Sequence, residues 1–294
     1  MWWSRSSLVD TSNGFRLGRS CKDALRRVAA LLKAGFVWVV DADIARHFDT
    51  IDHDLLLADV VQEVADGRVL ELVRAFLRAR VLDDGASWEP DTGTPQGGVI
   101  SPLLANIYLH PVEVKLEQAG YASVRYADDL VVLCRSREEA EAASALLADA
   151  MLAQRLTLHP DKTRVANAVV EGFDFLGYHF QGRTRWPRKA SIRKLRDALR
   201  LLTRRTNGFS LEAIIARINP ILRGWFEYFK HSQQAELHAL DGWVRMRLRS
   251  ILHKRAHRRG RGRGADHQRW PNAHFTAHGL FTLSAAHAAA LQSR

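Results

Sequence analysis

The chain has 294 residues, 47% of them hydrophobic, enough for one large or two ordinary cores, which excludes a disordered chain. Cys21 and Cys134 are its only cysteines, too few for a disulfide framework and too far apart for a Cys-x-x-Cys metal or redox site, so a reducing, cytosolic setting is expected. The net charge of +11 is uneven: residues 1–180 hold 19 Lys/Arg against 26 Asp/Glu and residues 181–294 hold 24 against 6, an acidic body joined to a basic region suited to a polyanion such as nucleic acid.

The opening MWWSRSSLVD has no apolar segment of signal length, and the longest apolar runs, such as FVWVV, are strand-sized, so neither secretion nor membrane spanning is expected. Ser20 and Asp23 form a capping-box pattern ahead of Leu25, Val28, Leu31 and Leu32 at helical spacing, and Gly35 ends that helix. FVWVVDADI reads as a buried strand. Amphipathic helices follow at 53–65 and 68–80, then a Gly/Asp/Thr/Pro-rich loop or hairpin at 83–98, then a helix with Ser101 as N-cap and Pro102 as first helical residue. A hairpin spans 121–134, Ser136 and Glu139 cap another helix, and VVEGFDFLGYHF at 169–180 is a further strand pair. Strands and helices mix without βαβ regularity, which favours an α+β fold.

Beyond Trp186 the pattern becomes all-helical. Ser191 is placed to cap a helix bearing Ile192, Leu195, Leu199 and Leu202; a second helix runs from Ser210 toward Ile218; Asn219-Pro220 opens a third, ILRGWFEYFK; and a last long helix covers 237–258 before a GRGRG turn. Nine Lys/Arg and no acid lie in 245–263, a stretch able to track phosphates: Arg245, Arg247, Arg249, Lys254, Arg255, Arg258, Arg259, Arg261 and Arg263. His253 and His257 are four apart but have no carboxylate or cysteine nearby in sequence, so they belong to the RNA-facing or solvated surface.

Chemistry concentrates at VRYADDLVVL, residues 124–133, where adjacent carboxylates sit between strand-forming runs although they repel at about 1 kcal/mol even in water. A divalent cation resolves that repulsion, and two-metal phosphoryl or nucleotidyl transfer needs a third carboxylate from another strand. Asp43, at the end of FVWVVDADI, can supply it, with Asp41 the alternative by position.

RYADD lies downstream of VVDADIARHFDTIDHDLL and TPQGGVISPLLANIYLH and upstream of LTLHPDKT and FDFLGY. In this order the blocks resemble the group II intron-encoded reverse transcriptases, or maturases, and the likeness continues through INPILRGWFEYF, LDGWVRMRLR and RWPNAHFTAHGLF, over roughly residues 13–283. The resemblance implies a right-hand polymerase: a remnant of the fingers at 1–35, an α+β palm with an antiparallel sheet at 36–182, and a helical thumb/maturase region that binds RNA at 183–294. It implies an RNA-directed DNA polymerase coupled to splicing of the parent intron, using two Mg2+ ions and acting with group II intron RNA, a DNA primer or target and deoxynucleoside triphosphates. The alternatives are an RNA-binding splicing cofactor without synthesis and an inactive mobile-element product.

The same resemblance assigns roles residue by residue. Asp43, five residues before Phe48, joins Asp128 and Asp129 as catalytic metal ligand, and the carbonyl of Ile44 is a further ligand. Phe48 lies beneath the incoming sugar, Gln96, Gly97 and Gly98 form the nucleotide-contacting loop, Lys162 serves the leaving pyrophosphate, and Phe175–Tyr178 grips the primer end. The likeness begins at NGFRLGRS, where the family usually has Tyr for Asn13 and Pro for Leu17, so most of the fingers is expected to be missing. At the other end no Cys/His endonuclease cluster follows, and second-strand cleavage is not expected.

Overall fold

A computed structural model describes residues 9–83, 86–88, 91–95, 97–258 and 264–292. The chain divides into two compact units: the first runs to Leu176 and includes Gln181–Arg183, and the second comprises Gly177–Phe180 and the chain from Thr184 on.

The first unit contains helix α1 (Cys21–Lys33), strand β1 (Trp38–Ala42), a 3-10 turn at His47–Asp49, helices α2 (His53–Glu63) and α3 (Gly67–Leu77), and strands β2 (Val81–Asp83) and β3 (Ala86–Trp88). Helix α4 (Ser101–Gln118), strands β4 (Ala122–Tyr126) and β5 (Asp129–Cys134), helix α5 (Arg137–Ala153), and strands β6 (Arg164–Asn167) and β7 (Phe173–Phe175) follow. The fold class is α+β, as the mixed order of elements led one to expect. Asp23 accepts hydrogen bonds from the Ser20 N–H and hydroxyl at 2.8 and 2.6 Å, which fixes the start of α1. Ser101 is inside α4 and not its cap, because its hydroxyl donates to the Pro95 carbonyl at 2.8 Å.

The central sheet has the order β4-β5-β1-β6 with every neighbouring pair antiparallel. Strand β6 is short and half polar, and nothing in its sequence marks it as a ladder partner of β1. Pairing of Val40 with Val132 and Ala42 with Leu130 sets the register. Because successive residues alternate faces, Val40, Ala42, Leu130, Val132 and Cys134 share one face, where they pack with Leu104, Tyr108, Val112, Leu147 and Met151 of α4 and α5. Asp41, Val131 and Asp129 lie on the opposite face. Helix α1 packs on β4 and β5, within the same unit as the sheet.

One buried group makes this unit sensitive to acid. His47 is 3% exposed and neither ring nitrogen has a partner among the described residues. Burial, and after it the positive charge of Arg125, pushes its imidazole down to about 4. The folded pKa is below the unfolded one, so the neutral ring's contribution is fully present above about pH 6.5 and is lost as pH falls toward 4. Between pH 7.5 and 4.5 the chain should therefore lose about 2 to 3 kcal/mol more stability than His47→Leu, read from denaturant unfolding at the two pH values.

The second unit holds strands β8 (Tyr178–Gln181, whose last residue counts with the first unit) and β9 (Thr184–Pro187), then helices α6 (Lys189–Leu202), α7 (Leu211–Phe229), α8 (Gln234–Arg255), α9 (Ala265–Arg269), α10 (Asn272–Ala277) and α11 (Leu283–Gln292). Ser191 is not the cap of α6; its hydroxyl donates to the Gly177 carbonyl at 3.0 Å while Arg188 takes the cap position. Nor does Asn219-Pro220 divide two helices: α7 runs through Pro220. An interior proline costs a helix about 3 kcal/mol, and here Ile214, Ile218, Leu222 and Phe226, four residues apart, bury one continuous stripe that offsets it. Buried Asp241 accepts from the N–H groups of Leu283 and Ser284, both at 2.9 Å, so α8 caps the first turn of α11. Among the described residues no helix is long and apolar enough to cross a membrane.

Candidate active site

The acidic face begins with the tight hairpin between β4 and β5. Tyr126 pairs with Asp129, leaving Ala127 and Asp128 as the turn, and both aspartates are exposed. On β1, Ala42 pairs with Leu130, so Asp43 and Asp129 stand one step beyond the last pair, on neighbouring strand ends and on the same face. Asp41 is two residues back along that face. Burial pushes its carboxyl up to about 6; Arg164, 3.9 Å away, opposes the shift, while the charges of Asp174, Asp129 and Asp43 add to it. Asp41, the alternative to Asp43 by position, thus joins the cluster beside it, and Asp174 is added to it; Phe-Asp-Phe at 173–175 is the one sequence signal for Asp174, a charge at the middle of a short apolar strand.

The segment after α5 brings in the counter-charge. Ile44 bridges Leu158, the His159 N–H donates to the Asp43 carbonyl at 2.7 Å, and the Ala45 N–H donates to the Thr157 carbonyl at 2.9 Å. These bonds are made by the residues flanking Ile44, so the Ile44 carbonyl itself turns away from that pairing. The same segment places the Lys162 ammonium 2.9 Å from an Asp43 carboxylate oxygen. Two cations thus enter the acidic face, Lys162 beside Asp43 and Arg164 beside Asp41, where Asp41, Asp43, Asp129 and Asp174 act on one another electrostatically. All-oxygen, like-charged donors suit a hard divalent cation. Among the described residues no three acidic, His or Cys side chains are arranged to hold a metal as they stand.

A second set of residues adjoins the 3-10 turn. Phe48 is half-buried against the first core, and its carbonyl accepts from the Thr94 N–H at 2.7 Å, which ties it to the loop entering α4. Gly97 is exposed with φ of +90°, a left-handed conformation that glycine adopts without strain. A Cβ on Gly98 would lie 2.6 Å from the Ser101 hydroxyl and 3.0 Å from the Phe76 ring, so any larger residue there must displace the Ser101 hydroxyl from the Pro95 carbonyl it bonds. Gln96 lies outside the described residues. In the Phe175–Tyr178 block, Phe175 and Tyr178 are both buried, and the Tyr178 hydroxyl donates to the Tyr228 carbonyl at 2.6 Å.

In the second unit, the guanidinium carbons of Arg196, Arg200 and Arg247 lie 5.6, 5.8 and 5.9 Å from the Trp243 ring centroid, with Arg193, Lys194, Arg204 and Arg205 exposed on and after α6. The stretch 245–263 does not present all its cations outward. Arg249 is buried and donates to the Trp270 carbonyl and the Asn272 side chain, and Arg255 donates to the carbonyls of Asn207 and Phe209. Each reaches a loop carbonyl that has no helical partner. His253 is likewise buried, 2.5 Å from Asp266, and not part of a solvated surface. Residues 259–263 lie outside the described residues.

Comparison with known proteins agrees with this layout. The Reverse transcriptase (RNA-dependent DNA polymerase) family matches residues 3–180, and the group II intron, maturase-specific domain matches 192–270. The chain is 41% identical over 104 residues to the group II intron-encoded protein LtrA of Lactococcus lactis subsp. cremoris, which covers 35% of this chain and 17% of that one. It is 30% identical over 206 residues to protein YkfC of Escherichia coli K12, covering 57% and 54% of the two chains. The matched stretches therefore span about half or less of these relatives' length. A Candida albicans telomerase structure superposes on 82% of this chain and 48% of its own with a TM-score of 0.51 at 13% identity, a likeness of fold. Two family matches in succession, the first over more than half of the chain, make it a member of the reverse transcriptase (RNA-dependent DNA polymerase) family with a group II intron maturase-specific domain.

Proposed function

We propose that the chain carries out RNA-templated DNA synthesis for a group II intron, with Asp43, Asp128 and Asp129 as the carboxylates of the nucleotidyl-transfer site. The observation that carries this reading is the β1–β5 register, which supports bringing Asp43 to the strand end beside the Ala127–Asp128 turn. These carboxylates and the Ile44 carbonyl would hold two Mg2+ ions, which lower the pKa of the attacking 3′-hydroxyl and neutralise charge on the leaving phosphate. Lys162, 2.9 Å from Asp43, is placed to neutralise or protonate a leaving pyrophosphate. Phe48 excludes a 2′-hydroxyl beneath the sugar, while Gln96, Gly97 and Gly98 contact the incoming deoxynucleoside triphosphate. Phe175–Tyr178 supports the primer end.

In this reading residues 1–35 belong to the fingers, 36–182 are the palm and 183–294 the thumb and maturase region. The arginines around Trp243 and along α6 contact phosphates and stack on unpaired bases of intron RNA, through which the protein supports splicing. The test is primer extension: with an RNA template, a DNA primer, the four deoxynucleotides and Mg2+, the chain should extend the primer and Asp43→Asn should not. Extension by Asp43→Asn at the parent rate would overturn the assignment.

A further inference from the structure

The hairpin that bears Asp128 and Asp129 is held from behind by one buried guanidinium. Arg125 on β4 pairs with Leu130, so its side chain lies on the α4 face of the sheet, opposite to the acidic face, and is 1% exposed. Its Nη1 donates to the Asn106 side-chain oxygen and to the Ala127 carbonyl, both at 2.9 Å. Its Nη2 donates to the Ser12 hydroxyl and to a Glu113 carboxylate oxygen, both at 2.7 Å. The backbone does the same work alongside: the Arg125 N–H donates to the Thr11 carbonyl at 3.0 Å, and its carbonyl accepts from the Asn13 N–H at 2.9 Å. Asn106 closes the ring by donating to the Gly14 carbonyl at 2.8 Å. Residues 11–14, α4 and the turn are thus joined through a single side chain.

The contact with Ala127 matters most. Ala127 has φ of +58°, a left-handed conformation that is costly for an L-residue with a Cβ and persists only where the surroundings impose it. The Arg125 hydrogen bond fixes the plane of the peptide joining Ala127 to Asp128. That plane sets the direction in which the Asp128 chain leaves the turn and the angle at which Asp129 enters β5. We propose that Arg125 is a positioning residue: through the Ala127 carbonyl it orients the Asp128 and Asp129 carboxylates toward the face that carries Asp43, so that affinity for a divalent cation depends on a side chain that never touches it. This rests on the metal-site reading above. Lysine cannot replace it, since a compact ammonium cannot reach four acceptors spread over the planar fork of a guanidinium.

The test is Mn2+ binding to the chain alone, followed by electron paramagnetic resonance of the free ion, with thermal melting on the same samples. Arg125→Lys should weaken Mn2+ at least tenfold. Adding Ala127→Gly, which removes the cost of positive φ, should recover several-fold of that loss. Glu113→Gln cuts an arm of the network away from the turn, and should lower the melting temperature while leaving Mn2+ affinity within about twofold. Equal affinity in the parent and Arg125→Lys would overturn the proposal, as would losses in Arg125→Lys and Glu113→Gln that simply follow their melting temperatures. If the parent binds Mn2+ no better than Asp128→Ala/Asp129→Ala, the metal-site reading falls and takes this proposal with it. Binding that needs those aspartates but ignores Arg125 sinks this proposal alone.

Discussion

Asp128→Ala/Asp129→Ala should reduce primer extension below detection while leaving RNA affinity within about twofold. Both carboxylates stand exposed at the tip and first residue of the β4–β5 hairpin, outside the apolar core, so their removal should leave the fold intact. Removing groups that act only on the reacting phosphate lowers the rate of the chemical step and not ground-state RNA binding. The cations proposed to meet RNA phosphates lie on α6 and around Trp243, in the other compact unit. Filter binding and single-nucleotide incorporation on one preparation check both halves. A parallel loss of the two would mean that the doublet holds RNA and does not catalyse.

Gly14→Ala should be the most damaging single methyl in the first unit. A Cβ there would stand 2.2 Å from the Ala127 nitrogen and 3.0 Å from its Cα, inside van der Waals contact with backbone that cannot rotate away. The turn must move, at a cost of about 1 to 3 kcal/mol for overpacking. Because the displaced atoms lead directly into Asp128, a shift of about 1 Å should also cost about a hundredfold in extension rate. Gly208→Ala, where the added Cβ meets nothing within 4 Å, is the control and should change neither melting temperature nor rate.

Much of the fold could be read from residue pattern because it rests on local signals. The capping box at Ser20, the apolar run of β1 and the two-residue break inside VRYADDLVVL each specify an element within a few residues of themselves. Pairing is another matter. Strand β6 is recognisable only once β1 is seen to need a second neighbour, since its four residues run exposed, half-buried, buried and half-buried and only the small Ala166 is fully covered. Pro220 misleads in the opposite sense: a local breaking signal is overridden by a stripe of four apolar side chains.

The candidate site divides along the same line. Asp43, Asp128, Asp129, Phe48 and Lys162 stand in short motifs and could be named from sequence, but the side on which Asp41 and Asp43 emerge depends on register. Arg125 carried a signal that went unused, a cation in the middle of a strand-forming run, where an unpaired charge is expensive to bury. Its partners Ser12, Asn106 and Glu113 are up to 113 residues distant in sequence, so no local pattern could reveal them. Arg249, Arg255 and His253 failed for a related reason: a count of basic residues cannot separate those facing solvent from those turned toward loop carbonyls or a buried carboxylate.

Asp43, Asp128 and Asp129 are proposed to share one divalent cation. Anomalous diffraction from crystals of the chain grown with Mn2+ tests this proposal most directly, because the ion reports its own position. An anomalous peak is expected with Asp43 and at least one of Asp128 and Asp129 as oxygen ligands at about 2.1 to 2.3 Å, and Lys162 moved off Asp43. A peak held by Asp41 and Asp174 without Asp43, or by residues of the second unit alone, would contradict it.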